Sequence, residues 1–89
     1  MILSETVCYL ITATHGGESV QDIAAMSKDN SWEPAKRRDA IMAAIGPLAL
    51  EKFGSDVIPD ISWVKSESTK LEYAPDEWVK PFRAPPNHG

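Results

Sequence analysis

Apolar positions in the first half of the chain recur at helical spacing. Leu3, Val7, Leu10 and Ile11 stand at i, i+4, i+7 and i+8, which gathers them on one helix face. Ser4 offers a capping hydroxyl in front of them. Gly16-Gly17 closes the segment, where a left-handed residue costs little. Ser19-Val20-Gln21-Asp22 then opens a second helix with capping-box-like spacing. Its inward stripe is Val20, Ile23, Ala24 and Ser27, and a run of about nine residues needs packing to hold it. Lys28-Asp29-Asn30 reads as polar turn material. Ser31 caps a third helix, with Pro34 in a first turn whose N–H groups have no intrahelical partner. Ala35, Ile41, Met42 and Ile45 face its core side. Gly46-Pro47 interrupts the pattern, and Leu48 to Phe53 adds a further turn or two before Gly54.

Beyond Gly54 the period changes. Ile61-Ser62-Trp63-Val64-Lys65 and Lys70-Leu71-Glu72-Tyr73 are short runs rich in β-branched and aromatic residues, separated by the polar Ser66-Glu67-Ser68-Thr69. They predict a hairpin pairing residues 61–65 with 70–74. Pro75-Asp76-Glu77-Trp78 starts one helical turn that puts Trp78 and Phe82 on the same side, and residues 83–89 form a loosely ordered tail. The expected architecture is a single α+β domain over residues 1–82, with three helices followed by a C-terminal β-hairpin. Val7, Leu10, Ile11, Ile23, Ile41 and Ile45 are its expected core. Trp63, Tyr73, Trp78 and Phe82 supply the hairpin's share, and Trp32 is expected as a staple or edge contact.

Val20-Gln21-Asp22-Ile23-Ala24-Ala25 resembles the second helix of winged helix-turn-helix proteins, and Arg37-Arg38-Asp39-Ala40-Ile41 resembles the body of their third. Leu50-Glu51-Lys52-Phe53-Gly54 is similar to the passage that leads such proteins into the wing. The resemblance spans roughly residues 4–74. It implies a winged-helix-like fold whose third helix enters the major groove while the wing touches an adjacent backbone. On that basis Lys36, Arg37 and Arg38 would contact phosphates or base edges, with Lys65 and Lys70 near the wing. Winged helices also serve as protein-interaction modules, so the fold alone does not choose between the two uses.

Charge sharpens this choice. The 89 residues carry a formal net charge of −4, which opposes indiscriminate binding to DNA. Yet Lys36, Arg37 and Arg38 are adjacent, whereas residues 1–30 contain a single Lys, and local clustering matters more to a binding face than the total. The leading expectation is a small DNA-binding regulator, working as a homodimer or in a larger complex. The alternative is a small protein-interaction module, of a size that would suit a mobile-element-encoded modulator of a host protein. Chemistry of other kinds has little foothold. Cys8 is the only cysteine, so no internal disulfide is possible, and its apolar neighbours suggest a small buried hydrophobe. His15 and His88 form no metal-binding spacing with other residues, and no nucleophile motif or phosphate-cradling Gly-rich loop occurs. No enzymatic activity, cofactor or metal is expected. No stretch reaches the ~18 apolar residues of a membrane span and the start lacks a secretory pattern, which suggests a cytoplasmic protein without membrane contact.

Overall fold

The computed structural model describes residues 5–66, 68, 70–75 and 77–78. The chain begins not with two helices but with a long β-hairpin. β1 (Thr6–His15) and β2 (Glu18–Ser27) pair antiparallel over their whole length, from Thr6↔Ser27 to His15↔Glu18. Gly16 and Gly17 make the two-residue turn at φ 60° and 82°, a backbone that L side chains rarely adopt and that suits the right-handed twist of a hairpin. The expected three-helix, winged-helix-like architecture is therefore overturned. The physical reason is the period. Val7, Tyr9, Ile11 and Ala13 alternate with Cys8, Leu10, Thr12 and Thr14, and half of β1 is β-branched, which favours a pleated strand over a helix.

A single helical turn, α1 (Lys28–Ser31), follows β2. The Asn30 N–H donates to the Ser27 hydroxyl at 3.2 Å, and the Ser31 hydroxyl donates to the Lys28 carbonyl at 2.6 Å. Ser31 thus ends α1 instead of capping the next helix. That helix, α2 (Pro34–Phe53), has Glu33 at its N-cap and runs 20 residues without a break at Gly46-Pro47. Pro47 lies on the solvent side, where the carbonyl it leaves without an amide partner can be hydrated. Ile41, Ile45 and Ala49, with Met42 and Gly46 beside them, form the buried stripe. Ala35 is exposed.

β3 (Asp60–Lys65) returns along the other side of β1, and β4 (Leu71–Tyr73) pairs with β3 through Val64↔Leu71 and Ser62↔Tyr73. The C-terminal hairpin expected for residues 61–65 and 70–74 is present. The result is one antiparallel four-stranded sheet in the order β2-β1-β3-β4, with α2 packed on one face. Val7, Tyr9, Ile11, Ala13, Ala24, Ile61 and Trp63 point into that layer and meet the α2 stripe. Trp78 extends the cover by stacking on Trp63, with ring centroids 5.3 Å apart and planes within 7°.

Four of the six expected core residues are buried: Val7, Ile11, Ile41 and Ile45. Leu10 and Ile23 are not. In strands they fall on the opposite face from Ile11 and Ala24, as one residue reverses the side. Tyr73 is likewise exposed on the outer face, and Trp32 is exposed instead of acting as a staple. Phe82 and the tail 83–89 lie outside the described residues. No helix among the described residues is long and apolar enough to cross a membrane.

Candidate functional site

The cations singled out in the sequence collect at one end of the sheet, where β1 begins and β2 and β3 end. Lys36, Arg37 and Arg38 occupy the first turns of α2, where the helix dipole adds positive potential. Each is engaged locally. The Lys36 ammonium sits 3.4 Å from the Glu33 carboxylate and donates to the Asn30 side-chain oxygen at 3.4 Å. Arg38 pairs with Asp39 at 3.2 Å. Arg37 donates from Nη1 to the Ser31 carbonyl at 2.8 Å, tying α1 to α2. Lys65 ends β3, within the C-terminal hairpin. Its register partner Tyr9 is in the core, and its ammonium lies 5.4 Å from the centre of the exposed Trp32 ring, a cation–π contact. Lys70 is exposed just before β4.

Near these groups a recess of about 380 Å³ opens between Glu5, Lys28, Lys65, Ser66 and Ser68. Lys28 pairs with Glu5 there at 3.2 Å, so the recess carries mixed charge. The structure therefore brings Lys36, Arg37, Arg38 and Lys65 to one end, but with carboxylates interleaved. Among the described residues no group of three or more His, Cys, Asp or Glu side chains could hold a metal ion.

The second notable surface is the face of the sheet that α2 leaves bare. Cross-strand register sets Ile23, Leu10, Val64 and Leu71 side by side, one from each strand. Ile23 is 61% exposed, Leu71 47% and Leu10 44%. The row beside it is Gln21, Thr12, Ser62 and Tyr73, with the Gln21 amide donating to the Thr12 hydroxyl at 3.1 Å. On the other side lie Ala25, Cys8 and Ser66, where the Cys8 N–H donates to the Ser66 hydroxyl at 3.2 Å. None of these residues is charged. Cys8, Leu10, Ile23 and Val64 border a depression of about 240 Å³, closed at the end of β3 by Lys65, Ser66 and Ser68. Cys8 is half-buried on this outer face and not in the core.

The edge of β2 is less open than the face. Ser66 N–H donates to the Cys8 carbonyl, so even-numbered residues of β1 address β3 and odd-numbered ones address β2. The backbone groups of Ser19, Gln21, Ile23 and Ala25 then point away from the sheet. The Ile23 N–H is already taken by the Asp22 carboxylate at 2.8 Å, and a carboxylate at this position repels an incoming strand's carbonyls.

A helical reading of the sequence hides the apolar row, because it places Leu10 and Ile23 on inward helix faces. Alternation along 6–15, closed by Gly16-Gly17, is the signal that puts Leu10 on the outer face, and the register with β1 then puts Ile23 beside it. Comparisons with protein-family models, curated proteins and solved structures find nothing that matches this chain.

Proposed function

We propose that this chain is a protein-interaction module that binds through the uncovered face of its sheet. One observation carries this reading: an uncharged apolar row crosses all four strands in a chain whose residues are 25% charged. Scattered apolar residues on a surface are ordinary, but a contiguous patch is the usual mark of an interaction site. The row is flanked by Tyr73, a residue type favoured at interfaces, and by small polar groups suited to a rim.

DNA binding through the start of α2 has weaker support. The fold that would lay this helix in a major groove is absent. Arg37 is spent on holding α1, while Lys36 and Arg38 face their own carboxylates. Two measurements separate the readings. In a titration against random DNA at 50 mM salt, the wild-type chain should show no binding tighter than the ~10⁻⁴ M edge of nonspecific affinity. In proximity labelling in the native cell, Ile23→Lys should abolish the labelled protein neighbours and Lys36→Ala/Arg38→Ala should keep them. DNA binding that is lost in Lys36→Ala/Arg38→Ala and unchanged in Ile23→Lys would overturn the proposal.

A further inference from the structure

Resting on the docking reading, we infer that the occupant of the bare sheet face is a second copy of this chain, the two sheets packing face to face about a two-fold axis. The charge distribution is the first argument. Each copy carries a net charge of −4, so self-association requires a surface on which no like charges are desolvated. The rows Ala25–Cys8–Ser66, Ile23–Leu10–Val64–Leu71 and Gln21–Thr12–Ser62–Tyr73 contain no charge at all. A partner recognised by opposite charge would find only Lys65, at the margin of the depression, to pair with.

The second argument is symmetry. A symmetric dimer needs a surface that a two-fold axis carries onto itself. One apolar row perpendicular to the strands meets that condition whether the axis runs along the row or crosses it between Leu10 and Val64. In the first case Ile23 meets Ile23 of the other copy. In the second Ile23 meets Leu71 and Leu10 meets Val64. Either way apolar side chains oppose one another, and the depression bordered by Cys8, Leu10, Ile23 and Val64 receives a side chain from across the interface. The area agrees with a reversible dimer. The eleven residues of these three rows, ~4.8 Å apart across strands and ~6.8 Å apart along them, cover roughly 360 Å² in projection. Pleated side chains raise that to about 450 Å² per copy, a total of ~900 Å² that falls among weak, transient interfaces. An interface this small, without a buried aromatic or Arg anchor, belongs with weak reversible associations, with a dissociation constant on the order of 100 μM.

The test is sedimentation equilibrium of the full chain from about 1 to 500 μM, read beside fluorescence of the apolar dye ANS. The wild type should pass from monomer to dimer over this range, and dye binding per chain should fall as dimer forms. Ile23→Ser and Leu71→Ser, both at exposed positions on outer strands, should each weaken association at least tenfold, with far-UV circular dichroism unchanged. Lys36→Ala should associate like the wild type. A wild type that stays monomeric at 500 μM, or that dimerises equally well in both face variants, overturns the second-copy inference. If that monomer still binds dye and loses the dye in Ile23→Ser, the face remains a docking surface and only its assigned occupant is wrong. If the monomer binds no dye, the docking reading falls as well.

Discussion

Ile11 and Ile23 are the pair of residues whose truncation says most about this molecule. They are the same residue type on neighbouring strands and differ in the face they occupy. Ile11 is fully buried between the sheet and α2, opposite Trp63 in the register, whereas Ile23 is 61% exposed on the other side. Replacing Ile11 with Ala removes three buried carbons, about 2.4 kcal/mol at ~0.8 kcal/mol per methylene, and leaves a cavity that raises the expected cost to about 3–4 kcal/mol. The same truncation at Ile23 forfeits only the covered fraction of the side chain, about 1 kcal/mol. The lower strand propensity of Ala is common to both variants and does not alter the difference of at least ~2 kcal/mol. A domain of this length has on the order of 4–13 kcal/mol of stability in all, so the gap is easily resolved. Urea melts at a few micromolar, below the range of self-association, give the comparison directly. With m near 1 kcal/mol/M, the two midpoints should differ by about 2 M. Equal losses, or a larger loss at Ile23, would mean that the faces of the first hairpin have been assigned the wrong way round.

Other positions yield further expectations. Ile41→Ala should cost about 2–5 kcal/mol in the same melts, because Ile41 is fully buried in the α2 stripe. Arg37→Ala should destabilise by about 1.5–3 kcal/mol through loss of its charge-assisted bond to the Ser31 carbonyl, whereas Lys36→Ala and Arg38→Ala, whose ion pairs are exposed, should change melts by less than about 1 kcal/mol. Tyr9→Phe should leave stability unchanged or raise it by up to about 1 kcal/mol, since the buried Tyr9 hydroxyl has no hydrogen-bond partner among the described residues; a clear loss in the thermal melt would contradict this. Gly17→Ala, at φ 82°, should cost about 1–2 kcal/mol by the same assay, although a methyl group there meets no neighbouring atom.

The second half of the chain was easier to read than the first, for identifiable reasons. In α2 Ile41, Met42, Ile45 and Ala49 fall on one helix face, whereas a strand would turn Met42 to the side opposite the others. In β3 and β4 the short alternating runs flank a polar turn. In residues 6–27 two periods compete. Val7 and Ile11 are four residues apart and so share a face in a helix, but they also share a face in a strand. Leu10 discriminates between the two, and it is exposed. Gly16-Gly17 is ambiguous in the same way, since positive φ serves both helix ends and tight hairpins. Pro47 misled in the opposite sense, because a proline on the solvent side of a long helix interrupts hydrogen bonding without ending the element. For the site, the basic cluster was visible from composition, but its internal pairing depends on side-chain geometry. The apolar row depends on register among four strands from distant parts of the sequence, and no local pattern displays it.

The central claim, that the face bearing Ile23, Leu10, Val64 and Leu71 works by being covered, is tested most directly by methyl NMR with a soluble nitroxide. Spectra of the isoleucine, leucine and valine methyl groups would be compared at about 20 μM and 1 mM chain, concentrations on either side of the micromolar self-association expected for an interface of this size. At the lower concentration the nitroxide should broaden Leu10, Ile23 and Leu71 strongly while leaving Ile11, Ile41 and Ile45 sharp. At the higher concentration the first group should become protected and the second should not change. Methyl groups of Leu10 and Ile23 that are sharp at both concentrations would contradict the bare face, and broadening that persists undiminished at 1 mM would contradict its cover by a second copy.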